Sequence, residues 1–437
     1  MEKNKFSLPR GTADILPESI LQWQSLEAKA REILTNFNYK EIRTPLFEET
    51  ELFARSMGAT SDVVQKQMLN LQPNQREGET GQSSKIFSLR PEGTASIVRS
   101  YIENNFDKKE ALTKLFYIGP MFRGERPQKG RLRQFHQLGV EAIGPNSASP
   151  YLDAEVIALS IELLKALGVS QYHLKINSLG SLEDKARFSA MLRELISKDK
   201  SRLCPTCQER LDRNVFRILD CKSKECQALV KGLNIGTSFL SEESQKYYKQ
   251  VKKALQSLQI VYEEVPALVR GLDYYTQIVF EITSANLGSQ DALGAGGRYD
   301  GLVEELGGSS EVDGIGFSLG MERICLAQDQ SLMASKEGAL DVFVVAMDEQ
   351  SFEKGFTLLS ALRQEGIKGD ISYKISSLKS QMRLADKMAA RFVILLGQDE
   401  IAKSVVTLKN MATGDQEQVP FDQIVDCVKE KLEKNLS

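Results

Sequence analysis

Residues 116–144, FYIGPMFRGERPQKGRLRQFHQLGVEAIG, constrain the chain more than any other stretch. Five cationic side chains (Arg123, Arg126, Lys129, Arg131, Arg133) and one acid (Glu125) crowd between positions 123 and 133. Gly124, Pro127 and Gly130 break that crowd into a long turn, since glycine and proline supply turn geometry and deny helix. After it, Leu132, His136, Leu138, Val140 and Ala142 alternate with Arg131, Arg133, Gln137 and Glu141, the two-residue period of a half-buried strand. With the apolar run 114–119 before it, the stretch reads as strand, basic loop, strand, one face packed and the other open to a ligand. Arginines at the bend suit polyphosphate, which they grip through forked, charge-assisted hydrogen bonds, while Gln137 and Glu141 suit a cationic or amide-like group further along. Taken alone, a solvated basic turn is the plainer reading.

A chain of 437 residues exceeds the size at which one core stops growing, so two domains plus an insertion are expected. A hydrophobic fraction of 41% and a charged fraction of 26% are ordinary for a soluble enzyme. The net charge of −3 means that a nucleic-acid partner must be met by local patches rather than by the overall field. With only two histidines, His136 and His173, the HExxH metalloprotease pair, two-histidine zinc fingers and the HxGH signature of class I synthetases are all excluded. No GxxxxGK[ST] loop is present, so ATP, if bound, is held without a Walker A cradle. The N-terminal residues lack a signal-peptide apolar core and no run approaches membrane-spanning length, so a cytoplasmic protein with no membrane contact is expected.

In chain order, Ile20, Trp23, Leu26, Ala30, Ile33, Leu34 and Phe37 follow helical spacing after Pro17, and a short strand at 41–44 runs into Pro45. Residues 65–84, including QPNQREGETGQ, read as a mobile loop or a poorly ordered hairpin. A strand at 85–89 then meets RPEGT and a helix through Ile97, Val98, Tyr101 and Ile102. Thr94 suits the cap of that helix, and Glu92 at the bend suits a substrate amine. A further helix (Leu152, Val156, Leu159, Leu163, Leu167) and a strand at 172–177 look like scaffold. Residues 181–266 turn charged and helical, as an inserted domain would.

That insertion holds Cys204, Cys207, Cys221 and Cys226. The spacing is compatible with a tetrahedral structural zinc site, but the second pair is separated by four residues, and free thiols are the favoured reading. A linker at 328–338 leads to residues 339–437, which alternate strand (341–346), helix, strand (371–375), helix, strand (392–396), two short strands and a final helix. On the second of those helices Lys379, Arg383, Lys387 and Arg391 recur every four residues opposite Leu378, Met382 and Met388. A solvated face is the usual meaning of such a stripe.

The motifs together carry a resemblance. FRGERPQKGRLRQFHQ with its downstream glutamate is similar to motif 2 of the class II aminoacyl-tRNA synthetases, in the form used by histidyl-tRNA synthetases. The long helix, strand and Pro45 resemble motif 1, which forms the dimer interface, and GIGFSLGMER (314–323) resembles motif 3. LRPEGTA resembles the family's histidine-binding turn. LVRGLDYYT (268–276) and LGAGGRYDGL (293–302) resemble its two specific signatures, the latter with Gly294 where relatives often have cysteine.

This resemblance implies an α/β (α+β) chain. A class II antiparallel-sheet catalytic domain (1–327), interrupted by the helical insertion (181–266), would precede a C-terminal mixed-sheet anticodon-binding domain (339–437). It implies an ATP-dependent ligase that joins histidine to ATP as histidyl-adenylate and passes it to the 3′ end of tRNA(His), as a homodimer with magnesium accompanying ATP. Arg270 and Arg123 would be the catalytic cations, with Arg123, Glu125, Arg131 and Arg323 holding ATP. Glu92, Thr94, Gln137, Glu141, Tyr274, Tyr275 and Tyr299 would hold histidine, and Lys379, Arg383 and Lys387 would meet tRNA phosphates. Gly124 stands where relatives show a larger side chain that stacks on adenine. The alternative is a related regulatory subunit of histidine biosynthesis, which typically lacks the ATP arginines and the C-terminal domain.

Overall fold

The computed structural model describes residues 6–59, 61–72, 85–233, 235–288, 291–329 and 340–434. The chain divides into two compact units, Met1–Met333 and Ala334–Ser437. The linker expected at 328–338 lies almost wholly outside the described residues, as does most of the polar stretch 65–84.

The strands of the first unit are β1 (Lys40–Glu41), β2 (Phe47–Glu49), β3 (Leu69–Leu71), β4 (Phe87–Leu89), β5 (Thr113–Phe122), β6 (Gln134–Pro145), β7 (His173–Ser178), β8 (Glu263–Glu264), β9 (Thr276–Thr283), β10 (Ala292–Arg298) and β11 (Val312–Gly320). Eight of them form one sheet in the order β1-β5-β6-β11-β10-β9-β7-β8. Its six central strands pair antiparallel, and the two-residue strands β1 and β8 add parallel edges. In the small sheet β2-β4-β3, β3 and β4 pair antiparallel with Leu69 opposite Leu89. Residues 73–84 of the polar stretch read between them lie outside the described residues.

The alternation read in residues 132–142 sorts the sheet into two faces. Leu138, Val140 and Ala142 of β6 join Phe280, Ile315 and Phe317 in one core, covered by the helices Pro17–Asn36, Pro150–Ala166 and Glu242–Ser257. The opposite face carries Gln137, Gly139 and Glu141 and is covered by the helix Thr94–Glu103 and most of the insertion. The stretch 181–266 therefore divides by packing. Helices between Leu182 and Gly232 contribute Phe188, Leu192, Leu211 and Leu229 to the second core, while Tyr248, Val251 and Leu255 of Glu242–Ser257 contribute to the first.

Two local expectations are corrected. Strand β6 begins at Gln134 rather than Arg131, because Arg131 closes a turn against Gln128. Thr94 is the first helical residue and Gly93 the cap position; the orphan helix N–H groups are taken by Glu92, whose carboxylate accepts from Thr94 N at 2.7 Å and Ala95 N at 2.8 Å. Glycine is needed at 93 and 139 because a Cβ at either would overlap the buried Tyr117 ring lying between the two segments.

The second unit is a five-stranded mixed sheet in the order β13-β12-β14-β15-β16, from β12 (Val342–Ala346), β13 (Gly369–Ile371), β14 (Phe392–Leu396), β15 (Val405–Asn410) and β16 (Gln416–Pro420). Strand β13 thus ends where the sequence reading starts a strand, and the helix Gln398–Lys403 was not anticipated. The helix Leu378–Lys387 exposes Lys379, Arg383 and Lys387. Arg391 lies beyond its end and pairs with Asp341 at 3.6 Å. Gln381 and Ala385 are buried on the packed side of this helix, Met382 and Met388 are partly buried against the same cluster as expected, and Leu378 is exposed. Among the described residues no helix is long and apolar enough to cross a membrane.

Candidate active site

A cavity of about 830 Å³ opens on the face of the large sheet that carries Gln137 and Glu141. Its wall includes Glu92, Thr94, Arg123, Glu125, Arg131, Gln137, Arg270, Tyr274, Tyr275, Tyr299 and Arg323. Guanidinium groups from three distant segments therefore meet around one space. Chemistry of this kind needs a scaffold that forces like charges together, and here the ends of sheet strands and one helix start deliver them: Arg123 follows β5, Arg270 precedes β9 and Arg323 opens a helix after β11.

Arg123 leaves the end of β5, donates from Nε to the Pro91 carbonyl at 2.9 Å and lies over the Phe135 ring at 5.4 Å. The RPEGT bend and the basic loop are thereby tied together. Arg323, in the first turn of the helix Met321–Ala327, donates from Nε to the Gly130 carbonyl at 3.2 Å and from Nη1 to the Ala292 carbonyl. It bridges the basic loop and the start of the glycine-rich strand β10. Arg131 pairs with Glu125. Burial pushes the pKa values of Arg123 and Arg323 down, and in both the neighbouring Arg131 pushes the same way while Glu125 opposes. Mutual repulsion at one wall is what an anion relieves.

Arg270 stands on the other side, where its Nη1 meets Glu281 Oε1 at 2.5 Å. Burial pulls its pKa down, but Glu281 outweighs that and holds it above the ordinary value. Glu281 was missed in the sequence; the available signal is that it is the one charge in the strand TQIVFEIT.

The end of the cavity away from Arg323 is aromatic and polar at once. The Tyr274 ring lies 4.6 Å from Tyr275 and 5.9 Å from Tyr299 between centroids. Gln137 donates from Nε2 to Ser318 Oγ at 3.1 Å, and its Oε1 is buried with no partner. A buried acceptor left open on a cavity wall is a place for a ligand N–H. Gly297 is required here, since a Cβ would press on the Tyr275 ring and on the Ile278 carbonyl. Gly294 and Gly296 let β10 lie close to β11, and Gly294 also lines the cavity.

Glu141 sits one layer behind the wall. It is 1% exposed, and its two oxygens accept from Thr94 Oγ1 at 2.7 Å and from the Tyr299 hydroxyl at 2.6 Å. Both carboxylate oxygens that the resemblance assigns to a substrate side chain are thus engaged by hydroxyls of the protein. Burial raises its pKa to about 8 against the two hydrogen bonds, with Glu92 adding to the rise. Burial likewise raises Glu92, opposed by the Ala95 and Thr94 N–H groups.

Further groups escaped the sequence reading. Lys185 Nζ donates to the carbonyls of Asp273 and Tyr275, the latter at 3.1 Å, and so props the LVRGLDYYT segment from below. Asn214 reaches Asp273 Oδ1 at 2.9 Å, and Arg210 and Arg217 meet Asp62 at 2.6 and 3.0 Å. Glu322 lines the cavity and accepts from the His136 backbone N–H at 3.0 Å. Each joins segments far apart in sequence, so no local pattern marks it. The basic stripe Lys379, Arg383 and Lys387 belongs to the second unit.

Residues 11–324 match the family model described as histidyl-tRNA synthetase, and residues 341–431 that of an anticodon binding domain. The histidine–tRNA ligase of Halothermothrix orenii is 45% identical over 419 residues, covering 96% of this chain and 97% of the relative. That of Geobacillus sp. (strain WCH70) is 45% identical over 434 residues, 98% of this chain and 99% of the relative. The crystal structure of apo S. aureus histidyl-tRNA synthetase superposes with a TM-score of 0.79 at 38% identity, over 97% of this chain and 100% of that one.

Proposed function

The chain belongs to the histidyl-tRNA synthetase family, and from that premise we propose how its residues carry out the work of a histidine–tRNA ligase. The enzyme is an ATP-dependent aminoacyl-tRNA synthetase that activates histidine as the adenylate and transfers it to tRNA(His). In the first step the histidine carboxylate attacks the α-phosphorus of ATP; a carboxyl–phosphorus bond forms as the bond to pyrophosphate breaks. Such a step asks the protein mainly to align the reactants and neutralise charge.

Arg123, with one nitrogen anchored on Pro91, faces the α-phosphate. Arg323 takes the far phosphates, Arg131 assists, and Glu125 serves the adenine or the magnesium that travels with ATP as substrate. Arg270 stabilises the pentavalent centre from the opposite side, held in aim by Glu281. Glu92 and Thr94 take the α-amino end. Gln137, with its open Oε1, and Tyr274, Tyr275 and Tyr299 surround the imidazole, and Glu141 fixes the Thr94 and Tyr299 hydroxyls from behind. The observation that carries this reading is that arginines from residues 123, 270 and 323 line one cavity with those tyrosines.

The domain assignment follows the same reading: 1–327 catalytic, with a 181–266 insertion, and 339–437 anticodon-binding, in which Lys379, Arg383 and Lys387 contact tRNA phosphates. A cytoplasmic homodimer fits as well, since Leu16, Leu21, Leu46 and Phe47 around the motif 1 segment are exposed. The regulatory-subunit alternative is not favoured, because it has no use for the three arginines and the anticodon domain together.

The test is amino-acid-dependent ATP–pyrophosphate exchange and charging of tRNA(His) by the purified chain. Exchange with histidine and with no other amino acid, followed by charging, is the expected result. Histidine binding without exchange would favour the regulatory alternative.

A further inference from the structure

The four cysteines of the insertion come together in space. The sulfurs of Cys204, Cys207, Cys221 and Cys226 all lie within 4.8 Å of one another, and Cys204 Sγ is 3.9 Å from Cys221 Sγ. A tetrahedral zinc with metal–sulfur bonds near 2.3 Å needs sulfurs about 3.8 Å apart, so small adjustments of side-chain torsion complete the shell. We propose that these four thiolates hold one structural Zn²⁺ ion, which ties the helices Pro205–Arg213 and Lys224–Gly232 together.

The surroundings suit a tetrathiolate. Cys207 and Cys226 are each the third residue of a helix, Pro205–Arg213 and Lys224–Gly232, so both sit where backbone N–H groups and the helix dipole favour negative charge. Two backbone N–H groups already point at sulfur, Cys204 N to Cys226 at 3.3 Å and Ser223 N to Cys221 at 3.4 Å, the supporting contacts that tune and orient metal-bound thiolates. Cys207 and Cys226 are fully buried, and Leu203, Leu211, Ile218 and Leu229 close off water. Four protein ligands leave no open position, so the ion is not catalytic. Binding replaces four S–H bonds by four Zn–S bonds and releases four protons to solvent.

The segment so tied is the one that supplies Arg210, Asn214 and Arg217 to the cavity side, where they hold Asp62 and Asp273. The ion therefore braces one wall of the site, to which Cys221 itself contributes. This inference stands on the insertion alone and does not depend on the reaction assigned to the cavity.

The experiment is metal analysis of the full-length protein purified under reducing conditions without chelator. One zinc per chain is expected, released to a colorimetric chelator when a mercurial thiol reagent displaces it, with the segment 204–233 resisting trypsin before release and cut after it. Growth on cobalt should give protein with the charge-transfer and ligand-field bands of tetrahedral cobalt thiolate. Cys207→Ser and Cys226→Ser should lose the metal, and Cys427→Ser should keep it. Folded wild-type protein that is zinc-free with all four thiols titratable, or that holds iron, or whose zinc persists in the two serine variants, would overturn the proposal. Unchanged trypsin cleavage after zinc release would remove the structural role. If the serine variants fail to fold, the wild-type metal content still decides.

Discussion

The Tyr299 hydroxyl donates to Glu141 Oε2 at 2.6 Å, with both groups at most 1% exposed. Tyr299 follows strand β10 and Glu141 lies on β6, and β11 runs between the two strands. The contact passes over Gly316, whose Cβ, if present, would overlap the Glu141 carboxylate. A glycine in motif 3 thus makes room for a carboxylate in motif 2 to hold a tyrosine in the second family signature.

That carboxylate makes stability depend on pH. In the folded chain Glu141 keeps its proton up to about pH 8, against an ordinary carboxyl value of 4.5. Between those values the folded state binds the extra proton, so the stabilisation present in full below the lower value is lost as pH rises through the upper one. The loss runs at roughly 1.4 kcal/mol per pH unit across the window. Thermal unfolding of the ligand-free protein should therefore show Glu141→Gln gaining on the wild type from the acid end of the window to its alkaline end. A constant difference would mean that Glu141 does not titrate there.

Arg270 is aimed by Glu281. Arg270→Ala should slow histidine-dependent pyrophosphate exchange by about 10²–10³-fold while histidine affinity changes little, the mark of a group that acts in the transition state. Glu281→Gln should cost less, since it loosens the aim but leaves the Arg270 guanidinium in place. A near-normal exchange rate in Arg270→Ala would remove it from the mechanism.

Arg298 and Asp153 form an ion pair with both side chains fully buried, through Nε at 3.0 Å and through Nη2, and Tyr247 adds a hydrogen bond to Asp153 at 2.8 Å. This network pins the helix Pro150–Ala166 to β10 beside Tyr299. Arg298→Leu leaves the carboxylate buried with only the tyrosine, and should cost about 3–5 kcal/mol. Replacing both charges by leucine and asparagine should recover part of that loss, as read by the thermal midpoint.

On the second unit, Lys379, Arg383 and Lys387 occupy the exposed face of Leu378–Lys387. Reversing all three charges should weaken binding of tRNA and lower the slope of log affinity against log salt by about 2. Unchanged affinity and slope would show that this face is merely solvated.

Local pattern was enough for the hairpin, the two faces of β6, the helix Pro17–Asn36 and the strand order within each motif, because side-chain period and turn residues act over a few positions. The motifs also named the arginines and tyrosines that line the cavity. What they could not supply is which group touches which. Glu281 on Arg270, Lys185 under Tyr275, Asn214 on Asp273 and Asp153 on Arg298 are pairings between segments 11 to 145 positions apart, and no periodicity encodes a partner at such range.

Two groups show what distant packing adds. Glu141 lies on the face that the alternation assigned it, and burial together with two hydroxyls from distant segments engages both its oxygens. The cysteine spacing is ambiguous in sequence, and only the packing of two helix starts side by side brings the four sulfurs within 4.8 Å of one another. Composition and pattern determined what elements form and which face they bury, since those depend on neighbours in the chain. Tertiary packing alone decided which buried polar groups are satisfied by protein and which, like Gln137 Oε1, stay open, since that balance is set where distant segments exclude water together.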